Sequence, residues 1–175
     1  LGGEGDDNRD RYNGVFRGGK YDTLEGGIRV PAIAHWPAGL PSGSRCDDLV
    51  HFIDWLPTLV GLTGAEPSED LALDGHDVLP VLRGEREAAD PVRFWQFSRY
   101  APVARSNGAM RDGKWKLHFP EIPEARRKDA ADNVPFFGFE REAHTLMDID
   151  ISLPERTLSQ STPPSLFDLE TDPYE

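Results

Sequence analysis

Proline and glycine punctuate this chain so closely that few long helices or strands fit between them. There are 15 prolines and 17 glycines in 175 residues. Proline has no N–H to donate and glycine relaxes the backbone, so both tend to end or bend regular elements. Residues 1–19, rich in Gly, Asp, Asn and Arg, read as loop. In residues 28–36, Val30, Ala32, Ile33 and Ala34 form an apolar run bounded by Pro31 and Pro37. The run predicts a mostly buried strand at a sheet position that tolerates Pro31. Residues 37–48 are a loop. Ile53, Leu56 and Val60 then recur at helical spacing, with Phe52 and Leu59 beside them. Asp54 is placed to cap this helix, Pro57 falls in its first turn, and Gly64 stops it. The same Asp-x-x-Pro pattern at Asp77 and Pro80, ending at Gly84, predicts a second, short helix.

After a polar linker at residues 85–91 the chain changes character. Residues 92–97 are aromatic and strand-like. Residues 109–111 and 114–119 flank Asp112-Gly113, a hairpin signal. Residues 120–165 are irregular, apart from a charged stretch at 124–132 that suits a helix. Residues 166–169 make a last short strand. A small antiparallel sheet packed on at least one helix is expected here.

Composition narrows the function classes. Hydrophobic residues make up 38%, aromatic residues 10% and charged residues 29%, an ordinary globular balance. The net charge of −12 and pI near 4.8 argue against nucleic acid, which needs a basic footprint. Any anion site must therefore be local, built from a few placed cations. No apolar run approaches the ~20 residues of a membrane helix, and no signal-peptide pattern is present. The opening Leu1-Gly2-Gly3-Glu4 reads like the middle of a loop, so upstream sequence is expected, and the compartment stays open. The single Cys46 excludes an internal disulfide framework and reads as an incidental loop thiol.

Gly14-Val15-Phe16-Arg17-Gly18-Gly19-Lys20 fits the phosphate-loop pattern G-x-x-x-x-G-K. Tyr21 stands where that loop needs Ser or Thr, and the flanking strand and helix are missing, so the match is set aside. Lys20 keeps its interest, because small residues on both sides let other groups approach closely. A cation so presented can bind an anion or stabilise charge developing on an oxyanion. Taken by itself, a solvated lysine is the plainer reading. Asp6-Asp7-Asn8 reads as a solvated loop. The histidines at 35, 51, 76, 118 and 144 lack metal-ligand spacing and read as structural or surface groups.

The segment from Gly18 to Ile33 resembles the sulfatase signature G-K-x-x-x-x-E-G-G-x-R-V-P, through Lys20, Glu25-Gly26-Gly27, Arg29-Val30-Pro31. Further pieces follow in order. Ile53-Asp54-Trp55-Leu56-Pro57-Thr58 is similar to I-D-x-x-P-T. Asp74-Gly75 through Gly84 is similar to D-G-x-x-L-x-P-x-L-x-G. Arg111 through Leu117 resembles the hairpin R-x-G-x-W-K-L, and Leu166 through Pro173 resembles the closing L-Y-D-L-x-x-D-P. Together they cover most of residues 18–173.

The resemblance implies an α/β fold of the alkaline-phosphatase-like superfamily, present here as an α+β fragment from its C-terminal part. Residues 1–85 would complete the edge of the α/β catalytic domain, and residues 91–175 would form an antiparallel-sheet subdomain with a helix. It implies sulfate-ester hydrolysis with a formylglycine nucleophile and calcium, less often magnesium. Both would lie before Leu1, because no C/S-x-P-x-R motif or T/S-D-N/H-G step is present. Lys20 would contact and stabilise the substrate sulfate. Glu25 and Arg29 would shape the Lys20 loop as an ion pair, with direct contact of Arg29 on the anion as the lesser alternative. The aromatic segment reads mostly as sheet core, Trp95 above all, with Trp95, Arg99 or Tyr100 lining a substrate cleft as the alternative, and Arg99 about evenly placed between the two. Expected partners are a sulfated small molecule or carbohydrate and the missing N-terminal part of the same protein, with neither nucleic acid nor membrane. Three rivals stay open: a phosphoester or phosphonate hydrolase of the same superfamily, a non-catalytic binding module, and an inactive homologue.

Overall fold

The computed structural model describes residues 12–65, 71–85, 91–98, 103–126 and 158–175. The chain divides into two compact units, Leu1–Val30 with Phe94–Glu175, and Pro31–Arg93.

The first unit contains a four-stranded sheet with the order β1-β2-β3-β4. The strands are β1 (Arg93–Gln96), β2 (Gly108–Asp112), β3 (Trp115–Phe119) and β4 (Ser165–Asp168). β2 pairs antiparallel with β3, and β3 with β4. All four fall within a residue or two of the segments expected from sequence. Asp112 pairs with Trp115, which leaves Gly113 and Lys114 as a two-residue turn. Gly113 takes φ 55°, a left-handed conformation that glycine adopts without a Cβ clash. Lys114 then ties the hairpin to the end of β4, with Nζ 3.0 Å from an Asp168 carboxylate oxygen.

Strand pleating sorts the side chains of β3. Trp115, Leu117 and Phe119 share one face, and Lys116 and His118 share the other. Ordinarily the polar face would meet water. Here Lys116 is fully buried and His118 nearly so, while Trp115 is 46% exposed. The polar face is the covered one. Beside the sheet a small apolar cluster joins Val103, Ile122 and Ala125, the last on α4 (Pro123–Arg126). Ser106 Oγ accepts the Ile122 N–H at 2.9 Å, so the loop between β1 and β2 is fastened to that cluster. The first unit also holds one helical turn, α1 (Glu25–Ile28), where the sequence reads as a poor helix start.

The second unit is built on α2 (Trp55–Thr63), preceded by a 3-10 turn over Phe52–Asp54, and on α3 (Leu79–Leu82). α2 ends at Gly64 in the left-handed conformation. α3 has proline in its first turn, and Asp77 accepts the Leu79 N–H at 2.9 Å. Both short helices lie where the Asp-x-x-Pro pattern places them. Asp54 stands at the N-cap position of α2 but makes no cap bond to it. Its carboxylate instead accepts the His51 N–H (2.7 Å), closing a capping box one turn earlier, and the His76 N–H (3.0 Å). Arg93 Nη2 lies 2.6 Å from Asp54 Oδ1, and both side chains are buried. Thr58 Oγ1 donates to the Asp54 carbonyl at 2.6 Å and accepts the Val78 N–H at 3.0 Å. Asp54, Thr58 and Arg93 are thus buried in this unit together with Val78 and Val81, whereas Phe52, Leu56 and Leu59 are 75%, 49% and 55% exposed.

One expected element is absent. Residues 29–36 form no strand, and Val30, Ile33 and Trp36 are all exposed, Ile33 almost fully. A strand needs a ladder partner. Pro31 cannot donate to one, and no described strand lies alongside. The charged stretch at 124–132 is described only to residue 126, and the 85–91 linker only at its ends. Among the described residues, no helix is long and apolar enough to cross a membrane.

Removing one partner of a buried ion pair leaves the other charge stranded, at a cost of about 3–5 kcal/mol. In the intact protein, Asp54→Ala is expected to lower the unfolding free energy by that amount in urea titrations followed by circular dichroism. A loss below about 1 kcal/mol would contradict this account of the second unit.

Candidate functional site

The loop carrying Lys20 is drawn tight by its own backbone. The Gly26 N–H donates to the Arg17 carbonyl at 2.7 Å and the Asp22 N–H to Gly19 at 2.9 Å. The Gly19 N–H in turn donates to the Asp22 carboxylate at 2.9 Å, and Asn13 Nδ2 to the Gly18 carbonyl at 3.0 Å. Gly26 and Gly27 are sterically required. A Cβ on either would run into loop carbonyls, those of Arg17 and Gly18 for the first and of Asp22 and Gly19 for the second. α1 can therefore form directly against the loop that precedes it.

Lys20 points away from this packing. Its side chain is exposed, with Nζ 4.9 Å from the Tyr21 ring centroid, and it forms no ion pair among the described residues. The Tyr21 ring lies 4.9 Å from that of Phe97. Tyr21 itself has φ 81°, a left-handed conformation that costs a bulky residue about 1–3 kcal/mol and persists only where surroundings impose it.

The imposing residue is Asn107. It is buried, and its Nδ2 donates to the Tyr21 carbonyl at 2.6 Å. Its Oδ1 accepts the Thr23 N–H at 3.2 Å and the Thr23 hydroxyl at 3.3 Å. One amide thus holds the turn immediately after Lys20 from both sides. Asn107 has φ 43°, which asparagine tolerates better than most residues. The sequence reading missed it. Its signal was the Ser106-Asn107-Gly108 step that leads into β2, a turn composition that names no distant partner.

Below the loop lies a cluster of buried charge. Lys116 Nζ sits 2.9 Å from Glu25 Oε1 and 2.7 Å from Glu175 Oε1. The Glu25 N–H donates to Glu175 Oε2 at 2.6 Å, and Arg17 Nη1 donates to the Glu175 carbonyl at 2.8 Å. The three side chains of the cluster are at most 4% exposed. Arg29 approaches from the rim. Its Nε is 3.3 Å from Glu25 Oε2, its guanidinium stacks on Phe16 at 4.5 Å, and its side chain is 52% exposed. With the rim Arg29 counted, two carboxylates face two cations and the whole group is close to neutral, although its three buried side chains are one cation and two carboxylates.

Lys20, Glu25 and Arg29 therefore lie on one continuous loop and helix. Lys20 faces solvent, and Arg29 is engaged with Glu25. Arg99 and Tyr100 lie outside the described residues, as do Asp6, Asp7, Asn8 and His144. Trp95 is half-buried on β1. Cys46 is exposed, with Sγ 3.4 Å from an Asp48 carboxylate oxygen. Among the described residues no group of three or more His, Cys, Asp or Glu side chains could hold a metal ion. The described residues thus do not fit a calcium site.

No protein-family model matches the chain. Among curated proteins it is 33% identical over 169 residues to arylsulfatase D from Homo sapiens, covering 94% of this chain and 26% of that protein. It is 34% identical over 163 residues to arylsulfatase A from Homo sapiens, covering 93% and 28%. This chain is related to the sulfatases. It is also 38% identical over 109 residues to N-acetylgalactosamine-6-sulfatase from Sus scrofa, covering 61% and 19%. The chain spans about a quarter of the length of the first two sulfatases. The alignment with them takes in nearly all of the chain, and so both the Lys20 loop and the hairpin that supplies Lys116.

His118 offers a measurable consequence of the covered sheet face. Burial, then the Lys116 ammonium, push its imidazole down from 6.5 to about 4; Asp22 opposes the shift and Arg17 adds to it. Below pH 6.5 the unfolded chain takes up a proton that the folded chain refuses until about pH 4. The stability due to neutral His118 is thus complete above pH 6.5 and is lost as the pH falls toward 4. Between pH 7 and 4.5, the thermal midpoint of the intact protein should fall less in His118→Asn than in the wild type. An equal fall in both would show that His118 does not titrate in this way.

Proposed function

We propose that this sequence is the C-terminal part of a sulfatase, and that the intact protein hydrolyses sulfate esters with Lys20 touching the sulfate. The observation that carries the reading is an exposed cation on a strained, tightly bonded loop within a chain related to arylsulfatases. Sulfate is a compact oxyanion, and charge shifts onto its oxygens and the leaving alkoxide in the transition state. A preplaced ammonium stabilises that charge without reorganising at the moment of reaction. An anion reaching a protein of such acidic composition needs a local cation of this kind.

In this reading the formylglycine nucleophile and the calcium ligands lie in the remaining sequence of the intact protein. So does the surface that covers the exposed Val30, Ile33, Phe52, Leu56 and Leu59. The fold of the intact catalytic domain is the alkaline-phosphatase-like one. The substrate is a sulfated small molecule or carbohydrate. The 175-residue chain alone, without nucleophile or metal site, is expected to be inert.

Two measurements test this. In the intact protein, Lys20→Ala should lower kcat/KM for an aryl sulfate by about a hundredfold, the usual loss for a transition-state donor. A change within about twofold would remove Lys20 from the reaction. The purified 175-residue chain should show no turnover of the same substrate with added calcium, and calcium-dependent hydrolysis would overturn the assignment of the nucleophile and metal to other sequence.

A further inference from the structure

We infer that Lys116 and Glu175 are positioning residues for Lys20, an ionic clamp that sets where the Lys20 loop stands above the sheet. The inference rests on the reading of Lys20 as the sulfate contact and goes beyond it, since neither clamp residue reaches the solvent where a substrate would bind.

The geometry points to this role in three ways. Lys116 is wholly buried, so it is no solvated surface charge. Its two carboxylate partners come from distant parts of the chain: Glu25, which accepts its hydrogen bond, from the first turn of α1, and Glu175, an ion pair at 2.7 Å, from beyond β4. The bonds of Glu175 then enclose the Lys20 loop. Its Oε2 accepts the N–H of Glu25, just after the loop, and its carbonyl accepts Arg17 Nη1, just before it. The Gly26 N–H to Arg17 carbonyl bond closes the same ring from within. Lys20 thus sits between two points that one buried ammonium and its two carboxylates hold to β3. On the free side of the loop, Asn107 fixes the turn after Lys20. An exposed lysine with flexible methylenes becomes a placed cation only if its Cα is placed, and the clamp and Asn107 supply that.

The clamp also explains why the sheet face with the alternating Lys116 and His118 is covered. A buried ammonium is stable only with its acceptors in place, so the loop must dock for the sheet to keep Lys116 inside. Loop position and sheet packing are one equilibrium. Replacing Lys116 by an apolar side chain leaves Glu25 and Glu175 facing each other with only the half-exposed Arg29 at the rim, and their repulsion pushes α1 away from β3.

A double-mutant cycle in the intact protein, with an aryl sulfate as substrate, separates positioning from general damage. Lys116→Met should lower kcat/KM about tenfold or more in the wild-type background, mainly through kcat, as misplacing a catalytic group does. In the Lys20→Ala background it should cost less than about twofold, because there is no longer a cation to place. Lys116→Arg, which keeps the charge, should recover part of the loss. Glu175→Gln, which keeps the shape and removes one charge, carries the same cycle if Lys116→Met does not fold. Equal losses in both backgrounds, or no loss in the wild-type background, would overturn the clamp. A silent Lys20→Ala instead overturns the functional reading. An arm that needs no turnover then decides the clamp: amide exchange of residues 17–29 should quicken at least tenfold in the Lys116 or Glu175 variant, and unchanged exchange overturns it.

Discussion

A lysine ammonium with no exposure to water is the constraint around which the first unit is arranged. Lys116 can be buried only because Glu25 and Glu175 meet it, and those residues are 150 positions apart in sequence. Taking a cation and carboxylates out of water is costly, and only close geometry and further hydrogen bonds offset it. Those further bonds are present: the Glu25 amide on Glu175, Arg29 on Glu25, and Arg17 on the Glu175 carbonyl. Such a group specifies position more sharply than apolar contact does, since a small displacement strands a charge. The second unit uses the same logic, with Asp54 buried against Arg93 and two backbone N–H groups. Among the described residues the largest fully buried side chains are Lys116, Asn107, Asp54 and Ser106, and all four are polar.

The consequence for Lys20 is a division of labour within one loop. Buried groups below hold the backbone, and the Lys20 side chain is exposed. Tyr21 in a left-handed conformation stores strain next to Lys20, and Asn107 keeps it there.

What was legible in the sequence was what local chemistry decides. Asp112-Gly113 marked the hairpin, and the Asp-x-x-Pro starts with glycine stops marked α2 and α3. The Lys20 loop was found through its resemblance to a family motif and through the glycines that its close backbone approach requires. What local chemistry does not decide was missed. Lys116 and His118 alternate with Trp115, Leu117 and Phe119, a pattern that reads as a solvent face, and only the docked loop makes it a covered one. Asn107 sits in an ordinary turn composition, 84 residues from Thr23. The 28–36 run has the composition of a strand, but pairing is a property of two segments, and no described strand is its neighbour. Asp54 was recognised as a cap, yet its distant bond to Arg93 could not be read from helix spacing.

The central claim is that Lys20 meets the sulfate while Lys116 stays below, holding the loop that presents it. A crystal structure of the intact protein with bound inorganic sulfate or an aryl sulfate tests this most directly. The account predicts Lys20 Nζ within hydrogen-bond distance of a sulfate oxygen, with Lys116 still between Glu25 and Glu175. An anion bound away from Lys20, or Lys116 released from its carboxylates to reach the anion itself, would contradict it.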